Sequence, residues 1–242
     1  MRKAMLIGLG VGLGVLAALW ALHPRPRVAA ITGCATLPPA ITVPGIDVSY
    51  HQDAIDWRKV ERAGIRFAFI RVADGAGIRD PRFAINWRGA REAHVARGAY
   101  QYFRPDQSAA AQADLVIGAQ RAAGAGELPP VLDIEVDAGL GAAELARRAR
   151  AWIDRVRDQL GVEPIVYTGG DLWRAGGSPP ITDQPLWLAH YASCPVIPAG
   201  WARWTFWQHT DRGAVPGIEG PVDLDVFAGS LAELASYRSR SG

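Results

Sequence analysis

The chain has 242 residues, with 26 Lys and Arg against 24 Asp and Glu, and it is 49% apolar and 21% charged. This length excludes a disulfide-stapled miniprotein and fits one barrel or one large sandwich, while the composition excludes both disorder and a multi-span membrane protein. A net charge of +2 is weak support for a nucleic-acid surface, which needs basic charge concentrated on one face, so no nucleic-acid partner is expected.

The chain opens with Arg2 and Lys3, continues through an uncharged apolar run from Ala4 to Leu22, and stops at His23-Pro-Arg-Pro-Arg27. The run is long enough to span a bilayer, exceeds an ordinary signal-peptide core, and is followed by no small-x-small cleavage site. Residues 1–27 therefore read as an uncleaved export anchor that leaves the body facing the periplasm or the exterior; if the segment is cut, the body is secreted. Residues 28–43 read as a linker and 44–242 as one folded domain. Cys34 and Cys194 are too few for a cysteine-based zinc site. In an oxidising compartment they can form one bridge; the alternatives are two free thiols, or lipidation of Cys34, since Ile31-Thr-Gly-Cys34 has a faint lipobox pattern.

From residue 45 onward, strand-like runs recur at Gly45–Ser49, Phe67–Val72, Gly98–Phe103, Pro130–Val136, Pro164–Thr168, Leu186–Tyr191, Trp204–His209 and Val222–Phe227. Helical patterns lie between the first five. Gly141–Leu160 keeps one apolar stripe through Leu145, Ala149, Trp152, Ile153, Val156 and Leu160. Asp80-Pro81 predicts an N-cap with proline at the first helical position, the helix running past Trp87 toward Ala96, and Ala109–Ala125 reads as a surface helix. Strand-helix alternation implies a parallel sheet covered by helices, and eight strands imply closure into a barrel whose last three connections are short of helix.

In such a barrel, chemistry sits at the carboxyl ends of the strands. Leu132-Asp-Ile-Glu-Val136 sends Asp133 and Glu135 off the same face of one strand. Asp47 closes the first strand, and Asp223 lies on the eighth, which neighbours the first once the sheet closes. Clustered, desolvated carboxyls repel, so at least one keeps a proton near neutral pH and can act as a general acid. Cleavage of a glycosidic bond needs this pairing of a neutral carboxyl with an ionised one. An Asp-x-Glu pair on a strand is more often a solvated edge or a salt-bridged pair; what sets this one apart is its apolar run.

The pieces Gly45-Ile-Asp-Val-Ser-Tyr-His-Gln52, Ile55-Asp-Trp57, Phe69-Ile-Arg71, Gly98-Ala-Tyr100, Leu132-Asp-Ile-Glu135, Pro164-Ile-Val-Tyr167, Trp207-Gln208 and Val222-Asp-Leu-Asp225 together resemble the family 25 glycoside hydrolases, the Chalaropsis-type lysozymes. The resemblance implies an α/β fold, a modified TIM-like barrel of five β/α units followed by three β-strands. It implies a monomeric muramidase, without cofactor or metal, that hydrolyses the β-1,4 bond between N-acetylmuramic acid and N-acetylglucosamine in peptidoglycan glycan strands. It further implies Glu135 as acid/base, Asp133 as the group steadying an oxazolinium ion made by the substrate's acetamido group, Asp47 and Asp223 as supporting acids, and Tyr100, Tyr167, Trp207, His51 and Gln208 at the substrate. Retention against inversion follows from carboxyl separation and substrate pose, which the sequence leaves open. Many relatives carry His where this chain has Gln101; alternation turns that side chain away from the barrel interior, so the change bears on packing.

Trp187, Trp201, Trp204 and Trp207 offer candidate sugar platforms, although tryptophan is usually a core residue, as Trp152 is expected to be. His51, His190 and His209 raise a metal-dependent hydrolase or deacetylase as a rival, but no His-x-x-x-His or His-Glu-x-x-His spacing occurs. The other rival is a non-catalytic glycan-binding module, which would keep the aromatic cleft and lose the acids. Gly169-Gly170 and Gly176-Gly177 lack phosphate-loop context and read as turns. Arg147, Arg148 and Arg150 read as a solvated helix face.

Overall fold

The computed structural model describes residues 41–237 except 176 and 178. All eight expected strands form, with one short addition. In chain order the elements are β1 (Thr42–Val48), α1 (Trp57–Arg62), β2 (Phe67–Asp74), β3 (Ile78–Arg79), α2 (Phe83–Glu92), β4 (Ala96–Tyr102), α3 (Ala109–Ala123), β5 (Val131–Ile134), α4 (Ala142–Leu160), β6 (Ile165–Gly169), α5 (Gly170–Ala175), β7 (Leu186–Ala189), β8 (Phe206–Gly213), β9 (Val222–Ala228) and α6 (Leu231–Ala235). The sheet order β1-β9-β8-β7-β6-β5-β4-β2 closes through β1–β2 pairing into an eight-stranded barrel, and β3 pairs onto β2 outside the ring.

The expectation of a parallel sheet holds for seven barrel strands and fails for β9, which runs antiparallel to both β8 and β1. The short β8–β9 connection contains no helix, and an antiparallel neighbour needs none, whereas a parallel one requires a crossover. The reversal places the start of β9 beside the end of β1, with Asp223 as the Cα partner of Asp47.

Alternation along the strands divides the apolar residues between two layers. Inside the barrel, Phe67, Phe69, Val131, Ile165, Trp187, Phe206 and Phe227 form one cluster, closed by Leu234 of α6. Phe67, Phe69 and Phe206 meet edge to face at 5.0–5.7 Å. Gly45 and Gly98 make room for these rings: a Cβ at Gly98 would fall 2.5 Å from the Phe69 ring. Outside, α1 to α4 lay their apolar faces on the strands, with Trp87 and Trp152 at the centre of the layer. Where β7 to β9 lack helical cover, Leu186, Leu188, Trp204, Trp207 and Val226 pack together instead.

Helix α4 matches the expected stripe and ends at Gly161, whose φ of 64° favours glycine. Helix α2 is shorter than expected: it starts at Phe83 with Arg82 at the N-cap, and Asp80 accepts the Arg82 N–H just ahead of it. At its far end the chain turns through His94 at φ 59° and enters β4 at Ala96. Helix α3 is less superficial than expected, burying Gln112, Leu115, Val116, Ile117 and Gln120. The arginines of α4 are engaged: Arg147 and Arg148 pair with Glu144, and Arg150 pairs with Asp183. Gln101 is fully buried and donates to the carbonyls of Gly75 and Tyr102, in keeping with a packing role.

Among the described residues, no helix is long and apolar enough to cross a membrane. The expected anchor over 1–27, most of the linker, Cys34 and Gly176 lie outside the described residues. Cys194 is not a free thiol.

Candidate active site

The barrel mouth at the carboxyl ends of the parallel strands gathers the acids. Asp47 comes from the end of β1, Asp133 from β5, Glu135 from just beyond β5, and Asp223 and Asp225 from β9. The first four sequence-predicted acids line one cavity of about 220 Å³ together with Tyr100, Tyr167, His51, Gln208 and Arg71. Asp47 and Asp133 are buried, Asp223 is half-buried, and Glu135 projects into the open cavity. A second cavity of about 460 Å³ continues past Gly169, Gly170, Ala189 and His190, sharing Glu135, Tyr167 and Tyr191 with the first. Glu135 therefore stands at the junction of an elongated cleft, a shape suited to a polymer.

Burial is the main cause of every carboxyl shift here, because desolvation disfavours the charged form. It pushes Asp47 well above the ordinary carboxylate range, reinforced by the charges of Asp225 and Asp223 and opposed by the amide of Gln208. It raises Asp133 strongly, with Glu135 adding to the rise and the Arg71 cation opposing it. Glu135 is raised by burial and by Asp223, while its hydrogen bond with Asp133 pulls it down. Asp223 is raised to about 6 by burial. Asp133 and Glu135 are both raised and act on one another, so the two titrate as a pair that retains a proton above the ordinary carboxylate range. Burial also pushes the phenols of Tyr100, Tyr167 and Tyr191 up, so they remain protonated.

Gln208 is a hub for this geometry. Its Nε2 donates to Asp47 Oδ2 at 2.7 Å, and its Oε1 accepts from the hydroxyls of Tyr167 and Tyr191, each at 2.8 Å. Its polar atoms are therefore engaged within the protein. Tyr167 and Tyr100 in turn pack edge-on to Trp187, at 4.5 and 6.2 Å.

Trp207 does not join the site. Its neighbour Gln208 points into the barrel, so alternation turns Trp207 outward, where it is fully buried and donates its indole N–H to the His190 carbonyl at 2.8 Å. Trp201 and Trp204 also pack outside the barrel; of the four candidate platforms only Trp187 lines the cavity. His51 reaches the cavity rim, its ring 4.1 Å from that of Tyr50. His190 bonds to the Cys194 carbonyl at 3.0 Å, and His209 packs against Trp207. Among the described residues no group of three or more His, Cys, Asp or Glu is arranged to hold a metal ion.

Sequence reasoning gave no role to Arg71, Tyr102, Tyr191 or Asp225. Arg71 sat inside a quoted motif, and Asp225 shares the face of Asp223 by simple alternation, so both were findable. Tyr191 closes the expected run Leu186–Tyr191, where alternation puts it on the face of Trp187, although β7 itself ends at Ala189.

The family model of the glycosyl hydrolases family 25 matches residues 46–218 of this chain, a span that holds the expected acid pair and Asp47. The chain is 41% identical over 206 residues to the YegX protein of Escherichia coli strain K12, covering 83% of this chain and 75% of that one. It is 36% identical over 225 residues to Lysozyme M1 of Streptomyces globisporus, covering 85% and 75%. The bacterial lysozyme structure from Streptomyces coelicolor superposes with a TM-score of 0.75 at 33% identity, covering 83% of this chain and 98% of that one. The acid-lined mouth of an eight-stranded barrel, a family match across most of the folded region and this shared architecture agree, and the chain belongs to glycosyl hydrolase family 25 and is a glycosidase.

Proposed function

We propose that this protein is a peptidoglycan hydrolase that cleaves the β-1,4 bond between N-acetylmuramic acid and N-acetylglucosamine. The observation that carries the reading is the Asp133 and Glu135 pair, which holds a proton above the ordinary carboxylate range at the junction of an elongated cleft. Lysozyme M1 and the N,O-diacetylmuramidase of Chalaropsis, 34% identical to this chain, support the same substrate.

In this reading Glu135, the member of the pair open to the cavity, protonates the leaving glycosidic oxygen as that bond breaks. The proton it gives is the one that the pair retains. Asp133, left ionised, then steadies the positive oxazolinium formed when the substrate's acetamido oxygen bonds to the anomeric carbon. Glu135, now a carboxylate, takes a proton from the water that attacks that carbon and releases the acetamido group. Asp47 and Asp223 support the pair electrostatically. Tyr100, Tyr167 and His51 face the sugar, whereas Gln208 acts by holding Asp47 and Tyr167 in place. Trp207 has no contact with the cavity and is not assigned to substrate. We read residues 1–27 as the export anchor and the stretch after it as linker; the linker expected over 28–43 yields Thr42 and Val43 to β1, so the catalytic domain starts with that strand, acting as a monomer in the cell envelope.

Mass analysis of fragments released from purified peptidoglycan tests the proposal. Muropeptides ending in reducing N-acetylmuramic acid are expected; cut peptide stems, or reducing N-acetylglucosamine, would overturn it.

A further inference from the structure

Asp225 has no part in the steps above, yet it is the most deeply buried carboxyl of the site, 1% exposed. Alternation along β9 turns it to the same face as Asp223, and its Cα partners across the ladder are Gly45 in β1 and Gln208 in β8. Its Oδ1 accepts the indole N–H of Trp187 at 2.8 Å. Its Oδ2 meets no amide, hydroxyl or cationic donor among the described residues. The Asp225 carboxyl lies within hydrogen-bonding reach of the carboxyl of Asp47, which Asp223 also reaches from the same strand. Two carboxyls bond only while one of them keeps a proton, and an unpaired charge is strongly disfavoured in such an interior. The other acid beside it is Asp223 on its own strand, while β7 and β8 present the uncharged Trp187 and Gln208. Asp133, Glu135, Tyr100, Tyr167 and Arg71 lie around the same cavity.

We propose that Asp225 is a positioning residue of the glycosidase site: one oxygen accepts the Trp187 indole N–H while its carboxyl bonds to that of Asp47, which fixes the Asp47 carboxyl and the Trp187 ring in the cavity wall. Asp47 is held from both sides, by Gln208 through Oδ2 and by Asp225 through the shared proton. The Asp47 and Asp225 pair, sharing one proton, carries one negative charge between them, and half-buried Asp223 is the acid that bears on Glu135. The inference rests on the reading of this cavity as the place where the sugar is cleaved.

The test is Asp225→Asn in the full chain. The amide oxygen still accepts the indole N–H, but the amide nitrogen now donates to Asp47 and favours its ionised form. Carbon-13 NMR of the aspartate carboxyls is expected to show the Asp47 midpoint falling by about one pH unit or more, which is about a tenfold change in its proton affinity. On purified peptidoglycan, kcat is expected to fall about tenfold with KM changed less than about twofold, and the acid limb of the kcat profile to move to lower pH. An unchanged Asp47 midpoint, or a fallen midpoint with wild-type kcat and pH profile, overturns the positioning role. If the midpoint falls while neither protein cuts peptidoglycan, the reading of the substrate fails and the pairing of Asp225 with Asp47 stands. The unmodified protein gives a check without any variant: the Asp47 and Asp225 resonances should titrate in shared steps, and independent single-step titrations would overturn the proposal.

Discussion

Arg71 and Asp80 form an ion pair at 3.1 Å in which the aspartate is sealed from solvent. Asp80 also accepts the backbone N–H of Tyr50 at 2.9 Å and that of Arg82 at 2.8 Å. The Arg71 guanidinium lies 4.9 Å from the centre of the Tyr50 ring. One carboxylate thus ties the end of β2 to the turn after β1, and holds the cation that opposes the rise in Asp133. Asp80 still makes a capping bond to Arg82 ahead of α2, and it works as the rear support of the cleft as well.

Removing one member of a buried ion pair leaves the other charge uncompensated, at about 3–5 kcal/mol. Asp80→Ala is therefore expected to lower unfolding free energy by about that amount in urea titration. A loss below about 1 kcal/mol would reduce the pair to the level of a surface contact.

Glu135→Gln keeps the shape of the side chain and removes its titratable proton. Hydrolysis of purified peptidoglycan should fall by about 10²–10⁴-fold, the range of general acid catalysis. The melting temperature should not fall, because the variant also relieves a carboxyl raised by burial. Wild-type turnover would remove Glu135 from the acid/base role.

Asp223 titrates near 6 when folded and at its ordinary 3.8 when unfolded. Between those values the folded protein binds more protons than the unfolded chain, so this group makes stability fall as pH rises through that window. Below 3.8 it contributes no difference, and above 6 the loss is complete. Asp223→Asn should consequently melt higher than wild type at pH 7, with the gain shrinking toward pH 4. Thermal melts across that range measure it, and a gain that grew on acidification would contradict the assigned shift.

Trp207 fills a dry cluster outside β7 to β9 and bonds to the His190 carbonyl. Trp207→Phe should lower unfolding free energy by about 1–3 kcal/mol, from lost packing and an orphaned carbonyl. KM for peptidoglycan should stay within about twofold, since no atom of the ring faces the cavity. A large rise in KM without loss of stability would restore it as a sugar platform.

Much of this architecture is local in origin. Continuous apolar runs such as Pro164–Thr168 and the stripe of α4 depend on residues a few positions apart, so the strands, the long helix and the orientation of Asp133 with Glu135 are legible without coordinates. The misreadings have distant causes. Asp80 holds Tyr50 and Arg71 besides the Arg82 N–H, and α2 stops short of Ala96 at the turn through His94. Trp207 matched a motif whose inward residue is Gln208, and one step along a strand reverses the face.

The order of apolar and polar residues by itself determines a barrel with acids at one end, because alternation and helical periodicity are properties of neighbouring residues. Only the closed sheet decides that β9 runs backward, that Asp223 pairs with Asp47, and that Asp225 lies beneath them without a cation. Those relationships join residues 47 and 225 across nearly the whole folded chain, and their protonation depends on how much water the surrounding walls exclude. Neither distance nor desolvation is written in any local stretch of residues.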